Sequence, residues 1–325
     1  MTIQRLQGYI FCVSKEYIPI SLKNIKTTSL KKRKSKVRID ELGSPFKSGE
    51  FKDFLNSLPD ALAVKNLRQT VDAVIRAKNS KRHVILGMGA HPVKVGLAPI
   101  IINLMANGVI TAVAMNGASI IHDFELSLAG HTSEDVDAEL CKGTFGMAEE
   151  TGKWLNQAIN QGVKDGRGIG KAVGDYILDN DFPHKKLSIL AAASRLNIPA
   201  TVHVALGTDI IHMHPEAEGA LIGEGSLRDF RLFASVVSEL KHGVYINLGS
   251  AVIMPEVFLK ALTVARNLGH DVKNFTTVNM DFIQHYRCRE NVLRRPVLSG
   301  GKSYALTGHH EIMFPLLAAA IMEKL

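Results

Sequence analysis

The chain has 325 residues, and 46% of them are hydrophobic, which is the composition of a folded globular protein. This length allows one large domain or two small ones. No apolar run reaches the roughly 18 residues that a membrane span needs. Three widely separated cysteines without a Cys-x-x-Cys pair argue against a disulfide framework or a zinc–thiolate site, and they suit a reducing cytoplasm.

The net charge of +8 is concentrated at the amino terminus. Residues 1–39 contain ten lysines and arginines and a single acidic residue, which is a charge of +9 and leaves the remainder at −1. A neutral body gives no support for a nucleic-acid-binding surface. The basic segment has no long apolar core before a cleavage site, so a secretory signal is not expected. We expect residues 1–40 to form a poorly ordered arm and residues 41–325 to form a single domain.

The domain begins with helical periodicity, and its first strand is predicted over His83–Met88. This strand ends in a glycine loop, Gly87-Met-Gly89-Ala-His91, which lacks the third glycine of a dinucleotide fingerprint. A helix over Val93–Asn107 and a strand over Val109–Met115 complete a βαβ unit. The helix N-terminus after the glycine loop suits a pyrophosphate, because its backbone N–H groups are free to bind an anion.

The stretch after this second strand is the most informative part of the chain. The strand breaks at Asn116-Gly117, and His122, Asp123 and Glu125 follow. Open α/β sheets build their sites in this way, with titratable groups after the carboxyl end of a buried strand. An ordinary strand-to-helix turn with a solvated acidic helix start explains the same spacing, so both interpretations stay open.

The remainder of the domain alternates helices and strands. Thr132-Ser-Glu-Asp has the pattern of a capping box that opens a helix. Further helices are predicted over Phe145–Gln161, Ile169–Leu178, Lys186–Leu196, Leu227–Leu240, Glu256–Leu268 and Ile312–Met322, and further strands over Ala200–Leu206, Val244–Leu248 and Phe275–Met280. This order predicts an α/β fold of doubly wound, Rossmann-like type, with a mostly parallel sheet and helices on both faces.

Three polar motifs lie in the second half of the chain. His212-Met-His214 has residue types of a metal site, but the sequence names no third or fourth ligand, and we predict no metal. Ser299-Gly-Gly-Lys302-Ser303 imitates the end of a phosphate loop, but Pro296 stands at the place of its first glycine, so we reject that interpretation. His309-His310-Glu311 precedes the last helix and suits either a site or simple capping by the glutamate.

The order of these motifs, from the first strand to the carboxyl terminus, resembles that of the deoxyhypusine synthase family. Gly87–Gly96 is similar to the strand-end loop that meets NAD in that family, and Asn116–Asp123 is similar to its Gly-Ala…His-Asp motif at the dinucleotide. Asn197–Asp209 is similar to the segment that brings an aspartate to the cofactor. Leu248-Gly249-Ser250 stands where the family has a glycine run, and Phe314-Pro-Leu-Leu317 matches its closing helix.

The resemblance implies a Rossmann-like domain that binds NAD and works as a homotetramer with sites between subunits. It implies the oxidation of spermidine, an imine on an enzyme lysine, and transfer of the aminobutyl group to a lysine of a translation factor or to a small amine. The chain departs from the family on the polyamine side. Pro255 and Leu259 replace a histidine and an asparagine that meet the polyamine, and Pro296 falls where the family has its imine-forming lysine. Lys302 is the only lysine nearby, and His309 replaces an aspartate.

We therefore predict an NAD-dependent enzyme that acts on a polyamine or other small amine and that does not form deoxyhypusine itself. A histidine would serve as general base, and Lys302 would need a lowered pKa to act as a nucleophile. Asp123, Asp209 and Glu216 would hold a cationic substrate or ribose hydroxyls. The predicted catalytic residues are His122, Asp209, His212, His309, His310 and Lys302. The predicted cofactor-binding residues are Gly87, Gly89, Ala90, His91, Asn116, Gly117, Ala118, Asp123, Gly249, Ser250 and Asn279.

Two other functions fit the same residues. One is a metal-dependent hydrolase that uses His212, His214 and either His309 or His310. The other is a nucleotide-binding protein that performs no chemistry.

Overall fold

The structure is a computed structural model, which describes residues 18–33 and 38–325. The chain divides into two compact units, Met1–Asp40 and Glu41–Leu325. In the first unit, residues 18–33 are all exposed and contain a short 3-10 turn, Leu30–Lys32. Residues 1–17 and 34–37 of the predicted arm lie outside the described residues, so its poor order stays a prediction.

The second unit is built on a sheet of six strands, in the part of the chain that is described, and each strand is parallel to its neighbours. The strands are β1 (Val84–Met88), β2 (Ala112–Asn116), β3 (Ala200–His203), β4 (Val244–Leu248), β5 (Phe275–Asp281) and β6 (Gly301–Thr307). Their order is β3-β2-β1-β4-β5-β6. This is the doubly wound order, which confirms the predicted Rossmann-like α/β fold. The order reverses between β1 and β4, so a crevice opens there at the edge where the strands end.

Helices cover both faces of the sheet. They are α1 (Phe51–Ser57), α2 (Leu62–Asn79), α3 (His91–Lys94), α4 (Ala98–Ala106), α5 (Gly117–Ala129), α6 (Val136–Leu140), α7 (Glu149–Lys164), α8 (Ile169–Asp179), α9 (Ile189–Leu196), α10 (Gly219–Ser238), α11 (Ile253–Asn267), α12 (Tyr286–Cys288) and α13 (His310–Met322). Helices α2, α4, α5, α7, α8, α9 and α13 contribute to the larger hydrophobic core cluster, and α11 and the end of α10 contribute to the smaller one.

The strands are apolar because both faces of the sheet are buried. Every residue of β1 is buried. Val84 and Leu86 pack in the larger cluster, whereas Ile85 between them packs in the smaller one. This alternation is the two-residue period of a strand, and it assigns the two clusters to opposite faces.

Three sequence-based element predictions are wrong in kind, and others are wrong in their bounds, since α10 begins at Gly219 and not at Leu227 and β3 ends at His203 and not at Leu206. The single helix over Val93–Asn107 is two helices, α3 and α4, because Gly96 adopts a left-handed conformation (φ +79°) that ends the first one. Thr132 does not open a helix, since α6 begins after Asp135, whose side chain accepts the capping hydrogen bond from Ala138. Strand β6 was missed, because its sequence begins with the glycine and lysine that imitate a phosphate loop.

Candidate functional site

Most of the predicted site residues lie at one edge of the sheet, which we call the carboxyl edge because all six strands end there. His91 follows β1, Gly117 follows β2 and Asp209 follows β3. Ser250 follows β4, and His310 follows β6. Parallel strands bring segments that are distant in sequence to this edge, which is where doubly wound folds bind their ligands.

The loops after β1 and β4 touch at the crevice. The Gly89 amide donates to the Leu248 carbonyl at 3.0 Å, and a Cβ on Gly89 would lie 2.3 Å from the Gly249 carbonyl oxygen. A side chain at Gly249 would in turn lie 3.0 Å from His310 Nε2. Both glycines are therefore required by the close approach of protein atoms, with Ala90 and His91 next to them on the crevice.

Gly87 was predicted to meet the cofactor, but it is buried inside the sheet. A Cβ at this position would lie 2.3 Å from the hydroxyl of Tyr245, a fully buried residue on the neighbouring strand β4. The ring of Tyr245 stacks on Phe258 with centroids 3.8 Å apart, so it cannot move away easily. Gly87 makes room for this tyrosine and does not face the crevice.

Asp209 occupies the N-terminus of helix α5. The Asn116 side chain caps this helix by accepting from the Ser119 amide at 3.0 Å. At the next residue, Gly117, a Cβ would lie 1.9 Å from Asp209 Oδ2, so the carboxylate packs directly on the first turn. Burial raises the pKa of Asp209 to about 6, and its Oδ2 atom has no hydrogen-bond partner among the described residues. A buried acceptor without a partner, beside Ala118 at the start of a helix, is suited to a ligand that donates hydrogen bonds.

His212 presents a hydrogen-bond donor at the same place. Its Nδ1 atom accepts from the amides of Gly207 (3.1 Å) and Asp209 (3.3 Å), so the proton of the neutral ring is on Nε2. The Nε2 atom is buried and has no partner in the described chain. Burial lowers the pKa of His212, which keeps the ring neutral near pH 7.

His122 belongs to a chain of hydrogen bonds that ends on a carboxylate. The Thr132 hydroxyl donates to Glu125 and therefore accepts from His122 Nδ1, which is 2.7 Å away. The second oxygen of Glu125 accepts from Thr151 at 2.9 Å. This arrangement leaves the lone pair of His122 on Nε2. Burial, with a smaller contribution from the charge of Lys94, lowers the pKa of His122 to about 4, so its ring is a neutral base near pH 7.

His122, Glu125 and Asp209 line the inner of two adjoining cavities, which has a volume of about 220 Å³, whereas His212 lines neither cavity. Lys94, Glu134 and Phe145 also line the inner cavity. The outer cavity, of about 630 Å³, shares Glu125 with the inner one. Its wall carries three carboxylates (Glu125, Glu134 and Glu150), two histidine or aromatic rings (His131 and Trp154), and no lysine or arginine.

A second group of rings lies near the ends of β5 and β6. His310 Nε2 is 3.3 Å from the Met280 carbonyl and 3.7 Å from Asp281 Oδ1. His310 is 1% exposed, burial lowers its pKa, and its Nδ1 atom has no partner in the described chain. The ring of His91 lies 5.2 Å from that of His310, and the exposed His309 stacks on Phe282 at 6.3 Å. Helix α3 joins the two groups, since it begins at His91 and ends at Lys94.

Three residues predicted to bind the cofactor have structural roles instead. Asp123 is fully buried and points to helix α9, where it accepts from the Ser188 hydroxyl (2.6 Å) and from the amides of Ile189 (2.7 Å) and Leu190 (3.3 Å). Burial raises its pKa to about 6. The other two are Asn279, which is buried between Asn247 and Gln284, and Ser250, whose hydroxyl caps α11 by accepting from Met254.

The structure does not bring Lys302 to the other candidates. It is the second residue of β6 and pairs with Thr276 near the start of β5, so it lies at the opposite, amino edge of the sheet. Glu216 lies beyond the 3-10 turn Ile210–Met213 and lines neither of the two cavities. His214 is also turned away from the site, because its Nε2 atom is 2.8 Å from the Gly146 carbonyl.

No group of three or more histidine, cysteine, aspartate or glutamate residues in the described chain could hold a metal ion. The set of His212, His214 and His309 or His310 that the alternative of a metal-dependent hydrolase would use is therefore not assembled in the described part of the chain. The part of the chain that is described also contains no helix long and apolar enough to cross a bilayer.

Three contributors were absent from the sequence prediction, namely Lys94, Thr132 and Asp281, and Glu125 was noted among the titratable groups after β2 without a role of its own. Asp281 ends a buried strand, so the rule that located Asp209 could have found it. Glu125 follows His122 by three residues on a helix, which places the two side chains on the same face. The sequence gives no comparable signal for Lys94 or Thr132.

No protein-family profile and no curated protein sequence matches the chain. Solved structures share its fold. A LOR/SDH protein from Methanococcus maripaludis matches with a TM-score of 0.52 and 14% identity, over 86% of this chain and 75% of its own. A protein from Entamoeba histolytica that is assigned to the deoxyhypusine synthases matches with a TM-score of 0.50 and 16% identity, over 86% and 96%. AgrE, in a complex with ornithine and NAD⁺, matches with a TM-score of 0.50 and 14% identity, over 79% and 33%. The chain thus spans about one third of AgrE, and identities this low show the fold alone.

Proposed function

We propose that this protein is an NAD-dependent enzyme that oxidises a small amine or polyamine at the carboxyl edge. The observation that carries the proposal is the inner cavity, where a carboxylate with an unpartnered oxygen and a neutral imidazole line the same space. The fold similarity to AgrE, whose complex contains ornithine and NAD⁺, supports the same class of cofactor and substrate.

The residues present fit a dinucleotide, although not in the usual way. Asp209 fills the N-terminus of α5, so a pyrophosphate would meet a negative charge there. Lys94 is exposed at the end of α3 and has no hydrogen-bond or ion-pair partner in the described chain, so it is the group that would neutralise the phosphates. Asp209 Oδ2 and His310 Nδ1 are acceptors without partners and suit ribose or amide donors. NAD, when bound, would supply a hydride acceptor.

The amine would extend from the inner cavity into the outer one. The carboxylates of Glu125, Glu134 and Glu150 attract ammonium groups, and no lysine or arginine on that wall opposes them. Trp154 adds an aromatic face for a cation or an alkyl chain. A chain of methylenes between two ammonium groups fits this mixture of charge and apolar surface.

His122 would remove the proton that prevents oxidation. An ammonium has no lone pair, so the carbon beside it releases a hydride only after the nitrogen is deprotonated. His122 Nε2 carries the lone pair of the neutral ring in the inner cavity, and the Nδ1 proton is held by Thr132 and, through it, by Glu125. The chain of hydrogen bonds to Glu125 would fix the tautomer and orientation of the ring, while burial, which lowers the pKa of His122 to about 4, would favour release of the proton after its transfer.

We do not propose that this protein forms deoxyhypusine. A covalent transfer of the family's type needs an amine nucleophile at the site, and Lys302 lies at the amino edge. An NAD-dependent oxidation needs no such lysine. The arrangement of subunits around the site, which the resemblance implies, remains part of the proposal.

The test is NADH formation by the purified full-length protein with spermidine, agmatine and other diamines. We expect Asp209→Asn and His122→Ala to abolish turnover, while His270→Ala, a histidine beyond the end of α11, leaves it unchanged. NAD binding by calorimetry without turnover of any amine would favour the binding protein without chemistry. Hydrolysis that stops on addition of a chelator and needs no NAD would contradict the proposal in favour of the metal-dependent enzyme.

A further inference from the structure

A cleft of about 510 Å³ lies at the amino edge of the sheet, on the opposite side from the proposed active site. It is formed by the end of α2 and by the first residues of β5 and β6. Its polar wall consists of Arg76, Ser80, His242, Asn274, Thr276 and Lys302.

The charged side chains that line this cleft are both positive. Arg76 and Lys302 are both cationic, and neither has a hydrogen-bond or ion-pair partner for its side chain in the described chain. No aspartate or glutamate lines the cleft. Asp72, which lies one turn before Arg76 on α2, is already paired with Lys324 at 2.7 Å. Two cations that line one cleft without a counter-charge repel one another, and a bound anion reduces that repulsion.

The loop before β6 places Lys302 at this position. Gly300 and Gly301 have φ values of +105° and +124°, and a Cβ on Gly301 would lie 2.3 Å from the Phe275 carbonyl oxygen. The two glycines thus allow the backbone at the start of β6 to pack closely against the start of β5, and Lys302 is the next residue in the chain. The Gly-Gly-Lys-Ser sequence is not a nucleotide-binding phosphate loop. As in such a loop, however, glycines adopt backbone conformations that other residues avoid, and they thereby place a lysine in a polar cleft.

The dipole of α2 explains only part of this arrangement. Arg76 and Lys78 are in the last turn of that helix, where cations are favoured by the helix dipole. Lys302 belongs to a strand from the far end of the chain, so the dipole of α2 does not account for its placement. The fork of an arginine beside the point charge of a lysine, with hydroxyl and amide donors around them, is the chemistry that recognises phosphate.

We infer that the amino-edge cleft is a binding site for a small phosphate-bearing anion, separate from the proposed active site. The anion would be held by Arg76 and Lys302 and would receive hydrogen bonds from Ser80, Asn274 and Thr276. The cleft is too open and too polar for an apolar ligand, and its volume fits a compact molecule.

The test uses the full-length protein and calorimetric titration with pyrophosphate, and a fluorescence thermal shift as a second readout. We expect one site per chain, with affinity lowered at least tenfold in Arg76→Ala and in Lys302→Ala. The matched control is Lys78→Ala, which removes a cation from the same turn of α2 but not from the wall of the cleft. It should leave the affinity unchanged, as should Lys94→Ala, which removes the cation proposed to meet phosphates at the opposite edge.

Three outcomes would overturn the inference. One is the absence of pyrophosphate binding at millimolar concentration. Another is an equal loss of affinity in Lys78→Ala, which would show a general effect of surface charge. The third is tighter binding of citrate than of pyrophosphate, which would assign the cleft to polycarboxylates. None of these outcomes involves NAD or an amine, so they leave the proposed function untouched.

Discussion

The two buried aspartates Asp123 and Asp209 differ in role, because Asp123 is held inside the fold whereas Asp209 is proposed to bind a ligand. The resemblance places both at the cofactor, whereas in the structure only Asp209 lines the inner cavity. Asp123→Ala would leave the Ile189 and Leu190 amides, both in the buried first turn of α9, without an acceptor. Each buried unsatisfied donor costs about 1–3 kcal/mol, and the longer of the two bonds, to Leu190, is the weaker one. We expect Asp123→Ala to lower the free energy of unfolding by about 3 kcal/mol.

At roughly 2–3 °C per kcal/mol for a domain of this size, this loss lowers Tm by about 8 °C. Asp123→Asn keeps one acceptor oxygen and should recover about half of the loss. Asp209→Asn should change the free energy of unfolding by less than about 1 kcal/mol, because the Oδ2 atom that it replaces has no partner. Urea denaturation and NAD titration of the three variants measure both properties. An Asp123→Ala protein of unchanged stability that no longer binds NAD would refute this reasoning.

Three further predictions concern the interior of the sheet, the inner cavity and a buried carboxyl group. Gly87→Ala should destabilise the protein by about 1–3 kcal/mol, because the added methyl group overpacks against the Tyr245 hydroxyl. The double variant Gly87→Ala/Tyr245→Phe should recover part of this loss of stability, and both variants should bind NAD with unchanged affinity. Amine oxidation should fall as the pH drops through about 6, where Asp209 gains a proton, and this fall should be absent from any residual activity of Asp209→Asn. Burial raises the pKa of Asp229 to about 7 from 3.8, so its contribution to stability is complete below the unfolded value and is lost as the pH rises through about 7. Urea denaturation should therefore show that the free energy of unfolding of the wild type, relative to that of Asp229→Asn, falls between about pH 5 and about pH 8. A difference between the two proteins that does not change with pH would contradict the raised pKa.

Buried strands could be predicted from sequence, including the edge strand β3, whereas the partly exposed edge strand β6 could not. Val244–Leu248 was predicted with the bounds that the structure shows, because all five residues of β4 are buried and apolar or aromatic apart from one asparagine. Strand β6 has only one neighbour and is exposed at its start, so its sequence alternates and begins with glycine and lysine. A local pattern of that kind is typical of a loop.

The position of the site could be predicted better than the direction of its side chains. Asp209 was found because it follows a buried strand, and His122 because it follows another. Asp123 was assigned to the same ligand as its neighbour His122, although consecutive residues of a helix point about 100° apart. In α5 this angle turns His122 toward the inner cavity and Asp123 toward α9. Helical geometry alone thus predicts that the two side chains have different partners.

Glycines at strand ends were the least informative part of the sequence prediction, for a physical reason. A missing Cβ shows that something approaches the backbone, but it does not show what. At Gly87 the neighbour is the Tyr245 hydroxyl, at Gly89 it is the Gly249 carbonyl, and at Gly117 it is the Asp209 carboxylate. A bulky residue at Gly117 would displace Asp209 first, so loss of NAD binding in Gly117→Val would not demonstrate contact with NAD. Side chains whose buried polar atoms lack partners, such as Asp209 and His310, are the better evidence for a ligand, because a folded protein rarely leaves such atoms without a hydrogen bond.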